Sequence, residues 1–337
     1  MHALTAHPGF VDLQVNGFLG INFTAEALSV DDVRNVTREL ATRGTAAYCP
    51  TIVTAPLEVF ESNLPVLAAA MDEPDLQPHL LGIHLEGPFF TEQSKGGHPA
   101  ECLRLPDIEL FDHWRELARG RIRIFTIAPE LVGAEALIRH AAAQGVVVSL
   151  GHHMADAVSV ARAVDAGARS CTHLGNGIAN RLPRHPNPIW SQLAHDELTA
   201  MIITDGHHLP PEFIATVLKV KNVARTIIVS DAACIAGLPP GDYEFSGASV
   251  VLESSGRIAL KDGSSLAGSS ATMLDCMNHL ASLELLTEEE LWKVGRDNAL
   301  KLMRVEVISD HSKSAKVCFN NGKFCVEERM NHVANQG

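Results

Sequence analysis

Leu81-Gly82-Ile83-His84-Leu85-Glu86-Gly87-Pro88 is an apolar run short enough for a buried strand, closed by a Gly-Pro pair that ends the strand and opens a loop. His84 and Glu86 are two apart and share one face of such a strand. A carboxylate at a strand end is poorly solvated unless it holds a cation or a proton. Two later runs end in the same way with histidines, Ser149-Leu150-Gly151-His152-His153 and Cys171-Thr172-His173-Leu174. A fourth, Ile227-Ile228-Val229-Ser230-Asp231, ends in an aspartate. One Glu, two His and one Asp, each closing a separate apolar run, is the set that a catalytic metal site on a barrel rim requires.

Outward from that stretch the chain alternates. Strand patterns at 8–16, 46–53, 79–85, 122–127, 146–150, 168–172, 200–204 and 226–230 are separated by helical patterns at 30–43, 57–71, 107–119, 133–143, 155–166, 189–195 and 210–221. Such alternation implies parallel strands with helical crossovers, and eight units of this length match a (β/α)8 TIM-like barrel. Past residue 240 the sequence reads as two short β pieces (243–252 and 256–260), a Gly/Ser loop at 263–270 and helices at 271–284 and 287–303. A hairpin at 315–326 is turned by Asn320-Asn321-Gly322. The expected division is a barrel over 1–305 and a short β-hairpin with a C-terminal tail over 306–337, the last residues disordered.

Composition narrows the function. A formal charge of −13 argues against nucleic acid and against an anionic membrane surface as partners. No apolar run reaches the length of a membrane span, and the first residues lack a signal-peptide pattern. The seven cysteines are scattered without a CxxC pair and read as reduced, buried thiols of a cytoplasmic protein. The Gly/Ser loop has neither a GxGxxG after a strand nor a P-loop lysine, so it is no nucleotide cradle.

Each candidate also admits a plain role. A lone histidine is more often a satisfied buried or surface residue than a ligand, and roughly one in ten is the starting odds for function. His2, His7, His113, His140, His279, His311 and His332 stay in that class. Glu86, His152 and His173 differ, because each closes a different strand and the barrel brings strand ends together; three ligands with an open position is the catalytic arrangement. His153 is expected to face away. Asp231 reads as a helix cap or as a general base beside the metal. His98 and His208 sit in loops, where a surface role is open. Arg181, Arg184 and His185 form a basic cluster after the His173 strand, either solvated charge or the receiver of an anion.

Taken in order and spacing, one set of motifs resembles a family. They are Pro8-Gly9-Phe10-Val11-Asp12-Leu13-Gln14-Val15-Asn16-Gly17, His84-Leu85-Glu86-Gly87-Pro88-Phe89, Lys95-Gly96-Gly97-His98, Gly151-His152, Thr172-His173-Leu174-Gly175-Asn176, Asp205-Gly206-His207-His208, Ser230-Asp231-Ala232 and Leu266-Ala267-Gly268-Ser269-Ser270-Ala271-Thr272-Met273. Over about residues 8–300 the chain is similar to the N-acetylglucosamine-6-phosphate deacetylases of the amidohydrolase superfamily. The resemblance implies one divalent metal ion, zinc first with iron, cobalt and manganese also accepted, held by Glu86, His152 and His173. It implies Asp231 as the catalytic carboxylate and His98, His208, Asn176 and Gly177 as substrate contacts. Gln14 and Asn16 stand where much of the superfamily carries His-x-His, which resembles the single-metal form.

The family takes a phosphate-binding arginine from the loop after His173, often reaching a neighbouring subunit; Arg184 is the nearest match and Arg181 the second, and a homodimer is admitted. Three departures stand out. The usual small β-sandwich domain is expected to be largely missing, the loop Gly175-Asn176-Gly177-Ile178-Ala179-Asn180 differs from the family pattern, and 295–299 lacks the usual proline. The expected reaction is metal-dependent hydrolysis of the N-acetyl amide of an amino sugar, N-acetylglucosamine 6-phosphate first, giving the free amine and acetate. The open alternatives are a deacylase of another N-acyl sugar, an N-acyl amino acid or a cyclic amide, and a non-catalytic sugar-phosphate-binding homologue.

Overall fold

A computed structural model of the chain describes residues 7–245, 248–263, 265–305 and 315–327. The expectations for the disordered C-terminal end and for His2, His311 and His332 lie outside the described residues.

Eight strands, β1 (Phe10–Val15), β2 (Thr45–Val53), β3 (Ile83–Glu86), β4 (Ile122–Ile127), β5 (Val147–Leu150), β6 (Ala168–Cys171), β7 (Thr199–Ile203) and β8 (Thr226–Val229), each pair in parallel with the next. The eighth meets the first just past the strand ends, where Asn16 N donates to Ala232 O at 2.9 Å, so the barrel is nearly closed. Seven helices alternate with the strands: α1 (Val30–Thr42), α2 (Leu57–Ala70), α3 (Ile108–Leu117), α4 (Ala134–Ala143), α5 (Ala157–Ala166), α6 (Pro188–Ala194) and α7 (Pro211–Lys221). All six residues of β1 are buried, because a barrel strand has core on one face and helices on the other.

The barrel interior changes character along its axis. At the strand starts it is apolar: Val11, Leu13, Ala47, Ile124, Met201, Ile227 and Val229 pack together and are plugged from below by Ala299 and Met303 of α10 (Asn298–Met303). Nearer the strand ends it turns polar. His84, fully buried, donates from Nδ1 to Leu13 O at 3.0 Å and accepts at Nε2 from the Thr126 hydroxyl at 2.7 Å. Thr126 continues through Thr172 to Ser149, each link 2.7 Å. This layer of paired hydroxyls supports the strand ends from beneath without leaving buried polar groups unsatisfied.

Past β8 the structure refines the sequence reading. Where two β pieces were expected, three antiparallel strands form: β9 (Gly241–Phe245), β10 (Ala248–Leu252) and β11 (Ile258–Leu260). Phe245 pairs with Ala248, so what reads as one run of alternating residues is a hairpin. The third strand starts at Ile83 rather than at 79, since Leu80 makes only an isolated bridge to Tyr48 before Gly82 turns at φ +132. Helix α8 (Met273–Ser282) is capped by Thr272. The single helix expected at 287–303 is α9 (Glu288–Trp292), a π-helical segment Lys293–Asp297 and α10. A side chain at Gly295 would come within 2.8 Å of Met277 Sδ and 3.0 Å of Phe10, so the segment packs closer to the barrel than an ordinary residue allows.

The expected hairpin is present as β12 (Val317–Asn320) and β13 (Lys323–Val326), with Asn321 and Gly322 both at positive φ, as a tight two-residue turn requires. No helix among the described residues is long and apolar enough to cross a membrane.

Candidate metal centre and its cavity

Three strands end by the same local device. His152, His173 and Asp231 each lie two residues past the end of β5, β6 and β8, and each has a left-handed backbone, at φ +51, +32 and +51. Non-glycine residues pay for this conformation, and the cost is borne where a side chain must be aimed. Here the turn throws each side chain inward over the barrel mouth. Glu86 is the last residue of β3. The loop after it is pinned by Phe89, which is buried, stacks on Trp114 at 5.9 Å and meets Phe125 edge-on at 5.8 Å.

Glu86, His152 and His173 converge, their ligand atoms within 4.8 Å of one another. Glu86 Oε1 is 2.8 Å from His173 Nε2 and 3.1 Å from His152 Nε2, and the two Nε2 atoms are 3.1 Å apart. The His152 ring donates from Nδ1 to Ser94 O at 3.0 Å, which leaves its Nε2 with a lone pair. A lone pair facing a carboxylate oxygen and a second imidazole at these distances calls for a cation, or a shared proton, between them. The donor set therefore fits a divalent metal ion, and its three protein ligands leave a position open for chemistry. Burial works against an ionised Glu86, but the His152 and His173 rings hold its carboxyl well below the usual range. Burial pushes the His152 ring down, whereas His173, despite burial, is raised by the Glu86 carboxylate.

Asp231 is tied to this centre through amides. Gln14 donates from Nε2 to both Glu86 Oε2 (3.0 Å) and Asp231 Oδ1 (2.9 Å), and Asn16 Nδ2 donates to the same Asp231 oxygen at 2.8 Å. The oxygens Gln14 Oε1 and Asn16 Oδ1 are buried without a partner among the described residues, so both amides turn their donors to the carboxylates. Burial, and then the negative charge of Glu86, push the Asp231 carboxyl up to about 6. Below, Asp12 brackets the turn, accepting from Ser230 N at 3.2 Å and from the Ser230 hydroxyl.

A cavity of about 540 Å³ opens above the centre. It is lined by Glu86, His98, His152, His173, Asn176, Gly177, His208 and Asp231, which brings together eight of the nine residues singled out in the sequence. His98 is buried with Nε2 3.3 Å from His152 Nε2; burial, then His152, push its ring down to about 3. Gly177 lets the loop lie against the centre, since a side chain there would be 3.0 Å from both His152 and His173. His208 donates from Nδ1 to Asp205 Oδ2 at 2.7 Å.

Arg184 is the residue the structure does not bring in. Arg184, Arg181 and His185 are exposed and do not line the cavity; Asn180 and Leu182 of the same loop do. His153 is buried, accepts at Nδ1 from Ala155 N at 3.2 Å and stands outside the metal-binding group.

Sequence reasoning passed over Asp205, whose Oδ1 accepts the backbone N–H of His207 and His208 (both 2.9 Å) and whose Oδ2 also receives the Ser269 hydroxyl at 3.1 Å. Burial opposes its ionisation, but the His208 ring and these donors lower its pKa far below the usual value. The signal was the Asp that opens Asp205-Gly206-His207-His208. Phe245 was not singled out in the sequence; with the segment 265–268, whose Leu266-Ala267-Gly268 opens one of the family-like motifs, it closes one side of the cavity.

No family model matches the chain. It is 32% identical over 301 residues to the N-acetylglucosamine-6-phosphate deacetylase of Bacillus subtilis, covering 88% of this chain and 75% of that protein. It is 29% identical over 309 residues to the N-acetylgalactosamine-6-phosphate deacetylase of Escherichia coli O157:H7, covering 92% of this chain and 81% of that protein. Among solved structures, a variant of N-acetyl-D-glucosamine-6-phosphate deacetylase from Mycobacterium smegmatis, in complex with N-acetyl-D-glucosamine-6-phosphate, superposes with a TM-score of 0.83 at 25% identity, over 96% of this chain and 87% of that one.

Proposed function

Because this chain belongs to the N-acetylglucosamine-6-phosphate deacetylase family, we propose that it hydrolyses the N-acetyl amide of a phosphorylated amino sugar, N-acetylglucosamine 6-phosphate first, to the free amine and acetate. The observation that carries this reading is the union of Glu86, His152 and His173 with Asp231 at one barrel mouth, joined by Gln14. A divalent cation on the three ligands, zinc first with iron, cobalt and manganese as alternatives, would supply a Lewis acid that makes water acidic near neutral pH.

The chain's own groups do the rest. Asp231, ionised, accepts the proton of the attacking water. Its Oδ1 is held by two amide donors, so Oδ2 is left to move that proton. The same carboxyl then gives the proton to the leaving amine. His98 is kept neutral by burial and can donate an imidazole N–H to the acyl oxygen as charge gathers there. The reading is that of a cytoplasmic enzyme with a small-molecule substrate.

His208 is presented by Asp205, and this suits a sugar contact. Asp205→Asn would break the charged hydrogen bond to Nδ1, worth about 1.5–3 kcal/mol. The expected result is a fall in kcat/KM of roughly ten- to a hundredfold, carried mainly by KM, with metal content unchanged. An unchanged KM would take His208 out of substrate binding.

The phosphate needs a cation, and Arg184 remains our choice, with Arg181 second. Its exposure suits a site completed across a homodimer. Arg184→Ala should lower kcat/KM for the phosphorylated sugar by about tenfold or more and leave the unphosphorylated sugar nearly unaffected. Equal losses on both would reject the assignment.

A second substrate has specific support, since one of the relatives reported above acts on N-acetylgalactosamine 6-phosphate. Acetate release from zinc-loaded protein, measured on both phosphorylated sugars, their unphosphorylated forms and N-acetyl amino acids, tests the proposal. Binding of a sugar phosphate without turnover would support the non-catalytic alternative instead.

A further inference from the structure

The hairpin outside the barrel carries two thiols that deacetylation does not use. In the register of β12 and β13, Cys318 stands directly opposite Cys325, and their sulfurs are 3.0 Å apart. A disulfide bond is about 2.0 Å long, so roughly 1 Å of approach would close one. Cys325 is exposed and Cys318 is buried beside it, whereas Cys49, Cys102, Cys171, Cys234 and Cys276 are all buried.

The pair is held in place from several sides. Asn278 of α8 clasps the backbone of Phe324, donating from Nδ2 to its carbonyl at 3.1 Å and accepting its N–H at 2.7 Å. The Phe324 ring lies edge-on to Phe10 at 5.0 Å and to Trp292 at 5.1 Å. Val317 exchanges two backbone hydrogen bonds of 2.9 Å with His7. A thiol pair fixed in this way has a high effective concentration for its partner sulfur.

We propose that Cys318 and Cys325 form a reversible thiol-oxidation site, with a low-molecular-weight disulfide as the oxidant. Cys325, the accessible thiol, loses its proton to solvent and attacks one sulfur of the oxidant. A mixed disulfide forms and one small thiolate leaves. Cys318 then gives up its proton and attacks the Cys325 sulfur, expelling the second small thiolate. Two protein thiols are oxidised to one disulfide, and one small-molecule disulfide is reduced to two thiols, which take up the two protons. The order follows from access, since Cys325 is exposed and Cys318 is buried; the hydrogen bond to Cys325, and then burial, push the Cys318 thiol up to about 11.

The bond is a labile one. Residues directly opposite in an antiparallel pair have Cβ atoms about 4.5–5.5 Å apart, while a disulfide prefers about 3.5–4.5 Å. Closing it draws the strands together, and a disulfide with one sulfur on an exposed residue is open to attack by a reducing thiolate. This suits a reducing compartment, where disulfides are transient.

The test uses the full chain loaded with zinc. The protein is incubated with oxidised glutathione, denatured, alkylated and digested. The expected result is loss of two of its seven alkylatable thiols. The peptide holding Cys318 and Cys325 should be lighter by two hydrogens, and dithiothreitol should restore it. Cys318→Ser should trap glutathione on Cys325 as a stable mixed disulfide. The proposal is overturned if all seven thiols stay reactive in the wild type under conditions that load Cys318→Ser, or if the wild type itself accumulates the mixed disulfide.

Discussion

Asp231→Asn is expected to lower kcat by about a hundredfold or more while metal content stays at the wild-type level, in line with what a positioned general base contributes. The substitution keeps the shape of the side chain and an oxygen where Gln14 and Asn16 donate, so the amide network can stay in place. It removes the ability to hold a proton, on which both halves of the reaction depend. The pH profile gives a second readout. The base works ionised, so the wild-type rate falls as pH drops through the Asp231 pKa. Burial and the Glu86 charge place that carboxyl at about 6, and a cation on Glu86 would cancel part of the repulsion. The acid limb of kcat should therefore lie at or below about pH 6 and vanish from the residual activity of Asp231→Asn. A variant with near-normal turnover and an unchanged acid limb would remove Asp231 from the mechanism.

The parts of this site that could be read from the sequence are those coded by neighbours along the chain. An apolar run followed by a polar residue is local, so the ends of β3, β5, β6 and β8 could be found, and with them Glu86, His152, His173 and Asp231. The backbone device that aims three of these was hidden, because His and Asp at positive φ carry no mark that a glycine would give. The role of Gln14 and Asn16 was hidden for another reason. Sequence showed them as missing histidines; only closure of β8 on β1 brings Asn16 to Asp231, across 215 residues. The same holds for Gly295, whose need for close packing is set by Phe10 and Met277. The arginine loop shows the limit of counting from a strand end. Pro183 and Pro186 are exposed along with Arg181, Arg184 and His185, so the charges counted as beside the centre face solvent within this chain.

Glu86→Ala should remove bound metal and turnover together, and this is the larger test of the site. Of the three ligands Glu86 brings the negative charge, and its Oε1 faces both imidazole nitrogens. Without it two neutral rings remain, and a divalent cation loses both a donor and its main electrostatic partner. The loss reaches further, because Gln14 Nε2 then keeps only Asp231 as an acceptor and the link between base and metal centre is cut. After dialysis against metal-free buffer, elemental analysis should show at least about a tenfold lower metal content than in the wild type, the scale on which even the outer partners of a metal site act. Thermal unfolding separates this from simple misfolding. A ligand that binds only the folded state raises stability in proportion to the logarithm of its concentration over Kd. Added zinc should thus raise the Tm of the metal-stripped wild type and leave that of Glu86→Ala almost unmoved. If the variant instead holds a full equivalent of metal and shows the wild-type shift, Glu86, His152 and His173 are not the metal site.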